Sequence, residues 1–358
     1  GGSVSLQGRA QGTTYHIKFV QPAKAIDADR VQSDVEKLLA QVDREMSTYR
    51  ADSEISRFNR APAGEWFAVS QAVADVVSKS REISEKTGGA QDVTVEPLVK
   101  LWHFGEKTNK APSPPAPLPT GEGSKASSPN TLVKGEVDRG SSPNPLPRGE
   151  GFRPPGAAEI RAARRRVGYK KLDVRLNPPT LRKEVDGLEV DLSSIAAGYT
   201  IDRISELLHD RGIKNFVAEL GGELRAAGTR ADGTPWRIAI ERPVSQEREF
   251  EAAVPLVNGA MATAGGSHHF FEYHGRRYSH IIDPATGRPI EHVLASVTVA
   301  ADTCIEADGW DTPLVVLGPV RGKQCAEQNG VAAMFISHTE HGDVVERTWA
   351  WRERFGGK

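Results

Sequence analysis

The sequence predicts a mixed α+β architecture rather than a doubly wound parallel sheet. Two observations carry this: short strand-like runs outnumber helical ones, and the two kinds alternate irregularly along the chain. The length of 358 residues leaves room for one large domain or two modest ones. An apolar fraction of 38% beside 26% charged residues is a somewhat polar globular composition, well able to bury a core.

The elements follow in order. Val31, Val35, Leu38, Leu39, Val42 and Met46 recur at three-and-four spacing, so residues 28–46 are expected to form an amphipathic helix. A second helix runs from Ser70, its N-cap, through Val73, Val76, Val77 and Ile83 to Gly88-Gly89. Residues 188–192 read as a strand, after which Ser193 or Ser194 caps a helix ending near Gly212. Runs at 216–220, 236–241, 296–300 and 332–337 read as strands.

One stretch breaks the pattern. From Gly105 to Gly151 there is no aromatic residue and no Ile, and three copies of a Pro-Gly-Glu segment start at Pro115, Pro129 and Pro143, 14 residues apart. That period matches no solenoid unit, and a segment so poor in apolar groups cannot offset its ordering entropy. The tract 105–156 is therefore expected to be a disordered, low-complexity insertion into a single domain spanning 4–358. A Pro-rich docking tract is the functional alternative.

Charge and cysteine count exclude several classes. Lys plus Arg (46) nearly cancels Asp plus Glu (47), which argues against a nucleic-acid partner. Cys304 and Cys325 are the only cysteines, too few for a disulfide scaffold or a cysteine zinc site. Neither an 18-residue apolar run nor a basic-then-apolar leader appears, so the chain as given is expected neither to span a membrane nor to carry its own export signal.

Several segments could carry chemistry. In Tyr278-Ser-His-Ile-Ile-Asp283-Pro, His280 and Asp283 sit at a strand end, where imidazole can move protons near neutral pH, although Asp-Pro also simply starts turns. Asp308 and Thr312 are four apart, so on a helix they share one face and offer a carboxylate and a hydroxyl to a hard cation. An acidic first turn opening an apolar helix is the bland alternative, and Gly309 and Pro313 weaken the helix. Asp191-Leu-Ser-Ser-Ile-Ala-Ala-Gly198 and Glu219-Leu-Gly-Gly-Glu223 follow strands with small residues that suit close approach to a phosphate or ring.

In order, these segments resemble the ApbE family of FAD:protein FMN transferases. The matching pieces are Gly8–Thr14, Met46–Asn59, Thr87–Leu98 with Trp102, Val190–Tyr199, Glu219–Glu223, Tyr278–Pro289 and Glu306–Gly318. The resemblance implies an ApbE-like fold of largely antiparallel sheets with packed helices. It implies Mg²⁺ held by Asp308, Thr312 and the Ala196 carbonyl, with FAD as substrate, and makes Asp308 and His280 the catalytic residues. It places Met46, Tyr49, Asp92, Thr94, Trp102, Glu219, Gly221, Gly222 and Thr263 around FAD. The implied partner is a client redox protein with an exposed Thr or Ser, such as a quinone-reductase subunit. Family members are commonly exported, often as lipoproteins, so the periplasmic face of the cytoplasmic membrane is expected, with any anchor preceding Gly1.

Departures from the family pattern are Gln11 for Met, Gln91 for Phe, Ala197 for Lys, and Gly266-Ser267-His268 for a stretch with Tyr-Arg. Two cations are thereby lost near the expected phosphates, with His268 a candidate replacement. Besides transfer, an FAD pyrophosphatase and a flavin-binding protein with little turnover share the same expected residues. Replacing Gly105–Gly151 by a short Gly-Ser linker should leave thermal stability and transfer rate unchanged. Loss of client modification with FAD binding intact would establish the docking alternative.

Overall fold

Alternation places one strand of the central sheet. In the strand Thr13–Val20, Tyr15, Ile17 and Phe19 are buried on one face and the residues between them are only partly covered. This strand belongs to an eight-stranded antiparallel sheet in the computed structural model, which describes residues 2–104, 153–241, 250–265 and 270–356. The spatial order is Ser3–Ala10, Thr13–Val20, Phe216–Leu220, Glu223–Ala227, Gly259–Gly265, Leu294–Ala301, Ala332–Thr339 and Gly342–Arg347.

Eight helices stand among the described residues, and most of them cover one face of the sheet. They are α1 (Ala28–Met46), α2 (Glu54–Arg60), α3 (Gln71–Lys86), α4 (Glu96–Leu101), α5 (Ala157–Arg164), α6 (Ala196–Asp210), α7 (Cys304–Gln328) and α8 (Trp349–Phe355). Val31, Val35 and Leu39 of α1 and Ile201, Ile204 and Leu208 of α6 pack on Tyr15, Ile17, Phe19 and Phe216. Further along the sheet, α3 and α7 pack on Val297, Val299 and Phe335. The other face is closed by the paired strands Trp236–Glu241 and Phe250–Leu256 and by Trp351 of α8, over Val217, Met261 and Met334. The mixed α+β expectation holds. Among the described residues, no helix is long and apolar enough to cross a membrane.

α1 takes the expected bounds, capped by Asp27, and Ser70 caps α3 by accepting from the Val73 amide. Three expectations change. Residues 188–192 form no strand: the Val190 amide and carbonyl bond to the side chain of Asn59 at 2.7 and 2.9 Å, and the Asp191 amide bonds to the Val93 carbonyl. A side-chain amide thus replaces the neighbouring strand. Neither Ser193 nor Ser194 caps α6, which starts after Ile195, because Ser193 bonds to Asp191 and Ser194 to Gln91. α7 continues through Gly309 and Pro313 and bends only at Gly318. There Pro319 has no N–H for the Val315 carbonyl, and the His292 Nε2–H donates to it instead at 2.7 Å. The 14-residue repeats and the tract 105–152 lie outside the described residues.

Asn59 carries two long-range hydrogen bonds on one amide. Asn59→Ala should cost about 1–3 kcal/mol, since two backbone groups lose their partner. Urea unfolding measures it; a midpoint matching wild type would show that water replaces the amide without cost.

Candidate active site

The site lies where α6 and α7 meet. Neither helix has a side-chain cap of its own at Ile195 or Thr303. Each is capped by the other. Asp308 of α7 accepts from the Gly198 amide in the first turn of α6 at 2.7 Å. In return, Asp202 of α6 accepts from the Cys304 and Ile305 amides that open α7, both at 2.9 Å. The close approach requires Gly198: a Cβ there would fall 2.4 Å from the Cys304 carbonyl and 2.7 Å from the Asp308 Cβ. Arg225, from the strand Glu223–Ala227, pairs with the same Asp202.

Around Asp308 the chain gathers carboxylates. Asp311 lies one turn on along α7, and Glu223 arrives from the hairpin joining Phe216–Leu220 to Glu223–Ala227; carboxylate oxygens of the three lie within 4.8 Å of one another. Asp308 and Asp311 are buried. Burial, offset by the Gly198 amide and reinforced by Asp202, pushes the Asp308 carboxyl from its ordinary 3.8 up to about 7. Burial, then Asp308 and Glu223, pushes Asp311 well above the usual range. Thr312 donates its hydroxyl to Asp311 Oδ1 at 3.1 Å. Crowded, desolvated oxygens of this kind fit a hard divalent cation. Glu223 and Asp311 stood in the sequence motifs without an assigned role; the i, i+3 spacing of Asp308 and Asp311 was the available signal for one of them.

Two hairpin tips border the cluster. Gln11 and Gly12 turn with φ of 52° and 78°, and Gly221 and Gly222 with 67° and 119°, the left-handed pairs that two-residue hairpin loops require. The tips join through the Gly221 amide and the Thr14 carbonyl. Gln11 reaches α6, donating to the Thr200 hydroxyl, which donates to the Ala196 carbonyl at 2.7 Å. Glu219 accepts from the Gly222 amide and from His16.

The other expected residues occupy different surroundings. Asp92 accepts from the Thr94 amide and hydroxyl and from the Tyr169 amide, and Thr94 accepts from the Gly168 amide, so both are spent on holding the chain after α5. Trp102 is 1% exposed, donates its indole N–H to the Gly287 carbonyl and packs against Tyr278. Met46 is buried at the end of α1, whereas Tyr49 just beyond is 66% exposed. Thr263 pairs with Thr298 across neighbouring strands. His280 is half-buried directly after the strand Arg276–Ser279. Asp283 starts a turn, accepting from the Ala285 amide through its side chain and from the Gly287 amide through its carbonyl. Residues 266–268 lie outside the described residues.

An antiparallel α+β fold whose helix junction gathers two buried aspartates and a half-buried glutamate beside two glycine-bearing turns defines a class of protein with a candidate cation site. The model of the ApbE family matches residues 11–129 and 137–335, and the chain belongs to that family. It is 39% identical over 339 residues to the FAD:protein FMN transferase of Vibrio cholerae serotype O1, covering 95% of this chain and 89% of that one. It is 35% identical over 349 residues to the Escherichia coli K12 FAD:protein FMN transferase, covering 96% and 86%. Solved structures agree: the flavin transferase ApbE from Vibrio cholerae superposes with a TM-score of 0.79 at 37% identity, covering 99% of each chain. The apo flavinyl transferase ApbE from Pseudomonas stutzeri gives 0.79 at 35%, covering 100% and 98%.

The raised carboxyls set a pH window. Without a cation, folded Asp308 keeps a proton that the unfolded chain releases as pH rises from 3.8 towards about 7, so its contribution to stability falls across that range. A cation must displace that proton. Added Mg²⁺ should therefore raise the melting temperature more at pH 8 than at pH 5.5 in scanning calorimetry. Equal shifts at both would exclude the trio as its site.

Proposed function

We infer that this protein is an enzyme that transfers FMN from FAD to a hydroxyl group of a client protein. Membership of the ApbE family supports the reaction; the observation that carries the site is the meeting of Asp308, Asp311 and Glu223 at the capped helix junction. Asp308 and Thr312 of α7 and the Ala196 carbonyl of α6, joined by Glu223 and Asp311, are the residues that would hold Mg²⁺. When bound there, Mg²⁺ offsets the charge of the FAD diphosphate and polarises it.

The chain's own groups do the rest. The Gly221-Gly222 turn lacks side chains and lets backbone approach the substrate closely. His280 takes the proton of the attacking Thr or Ser hydroxyl as oxygen bonds to the FMN phosphorus. The diphosphate bond breaks, AMP leaves, and FMN remains on the client as a phosphoester. A positioned base matters because an alcohol is a weak nucleophile near neutral pH. The client fits as a redox protein with an exposed Thr or Ser, such as a quinone-reductase subunit.

Incubating such a client with FAD and Mg²⁺ should raise its mass by one FMN. Free FMN with an unchanged client would instead mean hydrolysis, and intact FAD would mean binding alone. Asp308→Ala should abolish transfer while leaving weakened FAD binding. His280→Ala and His280→Gln should both lower turnover at saturating FAD by about 10²–10⁴. Survival of the Gln variant would assign His280 to hydrogen bonding and remove it as the base.

A further inference from the structure

Glu219 and Glu223 flank one turn yet serve opposite faces of the sheet. Glu219 alternates with Ala218 and Leu220, which pack beneath the helices, so its own side chain lies on the far face. There it is 3% exposed and stands directly across the ladder from His16. Glu223 is paired with Leu220 and brings its carboxylate to Asp308 and Asp311. Leu220 and the Gly221-Gly222 tip connect the two glutamates.

A Gly-Gly tip is the least restrained two-residue loop a chain can build. Here the Gly221 amide bonds to the Thr14 carbonyl, and the Gly222 amide is held by a side-chain carboxylate. Glu219 Oε1 accepts from the Gly222 amide at 2.8 Å, and Oε2 accepts from His16 Nδ1 at 2.9 Å. Gly222 directly precedes Glu223, so whatever fixes the Gly222 amide fixes the backbone that carries the third carboxylate. On the opposite side of the tip, Thr13 leaves little room, its methyl lying 3.1 Å from where a Gly221 Cβ would sit.

We propose that His16 is a positioning residue for the cation site. Its Nδ1–H orients the Glu219 carboxylate, Glu219 holds the Gly222 amide, and the turn thereby delivers Glu223 to Asp308 and Asp311. His16 touches neither cation nor substrate; its effect passes through two hydrogen bonds and one peptide unit. The inference rests on the carboxylate trio binding a cation. Partners bonded directly to metal ligands typically control affinity by about 10- to 100-fold; His16 acts one step further out, so the low end of that range applies.

Mn²⁺ binding to the full chain without FAD, followed by water-proton relaxation, tests this. His16→Phe should weaken Mn²⁺ by about 10-fold. His16→Asn, whose Nδ2–H₂ can occupy the place of Nδ1, should restore wild-type affinity. His16→Gln, with its donor one bond further out, should not restore it, and covers the case in which His16→Phe does not fold. Wild-type affinity in both His16→Phe and His16→Gln would overturn the proposal, as would a His16→Asn variant no better than His16→Gln. Wild-type protein that binds Mn²⁺ no better than Asp308→Ala would overturn the cation reading first, and the role of His16 with it.

Discussion

Two helices that cap each other hold this site together. A helix start leaves amide groups without partners, and a residue outside the helix must satisfy them. In α6 and α7 that residue comes from the opposing helix: Asp308 for α6, Asp202 for α7. Each such cap is typically worth about 0.5–2 kcal/mol. Because the two caps are reciprocal, neither helix can shift without uncovering the other. Gly198 allows the contact, since any side chain there would collide with the Cys304 carbonyl. Arg225 extends the arrangement to the sheet by pairing with Asp202, and its strand begins with Glu223.

The same carboxylate serves fold and chemistry. One oxygen of Asp308 takes the Gly198 amide, and the carboxyl also stands in the trio with Asp311 and Glu223. Three carboxylates so close cannot all remain ionised in a desolvated place without a counter-charge, so they hold protons or a cation. The neighbouring hairpin tips carry no side chain at Gly221 and Gly222. Asp92, Thr94 and Trp102 build a separate wall, their polar atoms bonded to backbone groups around α5 and the Asp283–Gly287 turn. That wall is framed by the protein's own hydrogen bonds.

The sequence by itself determined the elements whose signal is local. The apolar spacing of α1, the Ser70 cap and the short apolar runs of Phe216–Leu220 and Ala332–Thr339 are written in neighbouring residues, and the elements stand at those places. So was the placement of Asp308 and Thr312 on one helical stretch, and the order of motifs that marks the ApbE family. Tertiary structure decided what depends on distant partners. Only folding brings the Asn59 amide to Val190 and so dispenses with a strand at 188–192, or sets His292 beneath the bend at Pro319. Only folding adds Glu223 to Asp308 and Asp311, because Glu223 and Asp308 stand 85 positions apart in sequence. Periodicity reports which face a residue occupies within its own element; it carries nothing about which other element will lie across from that face.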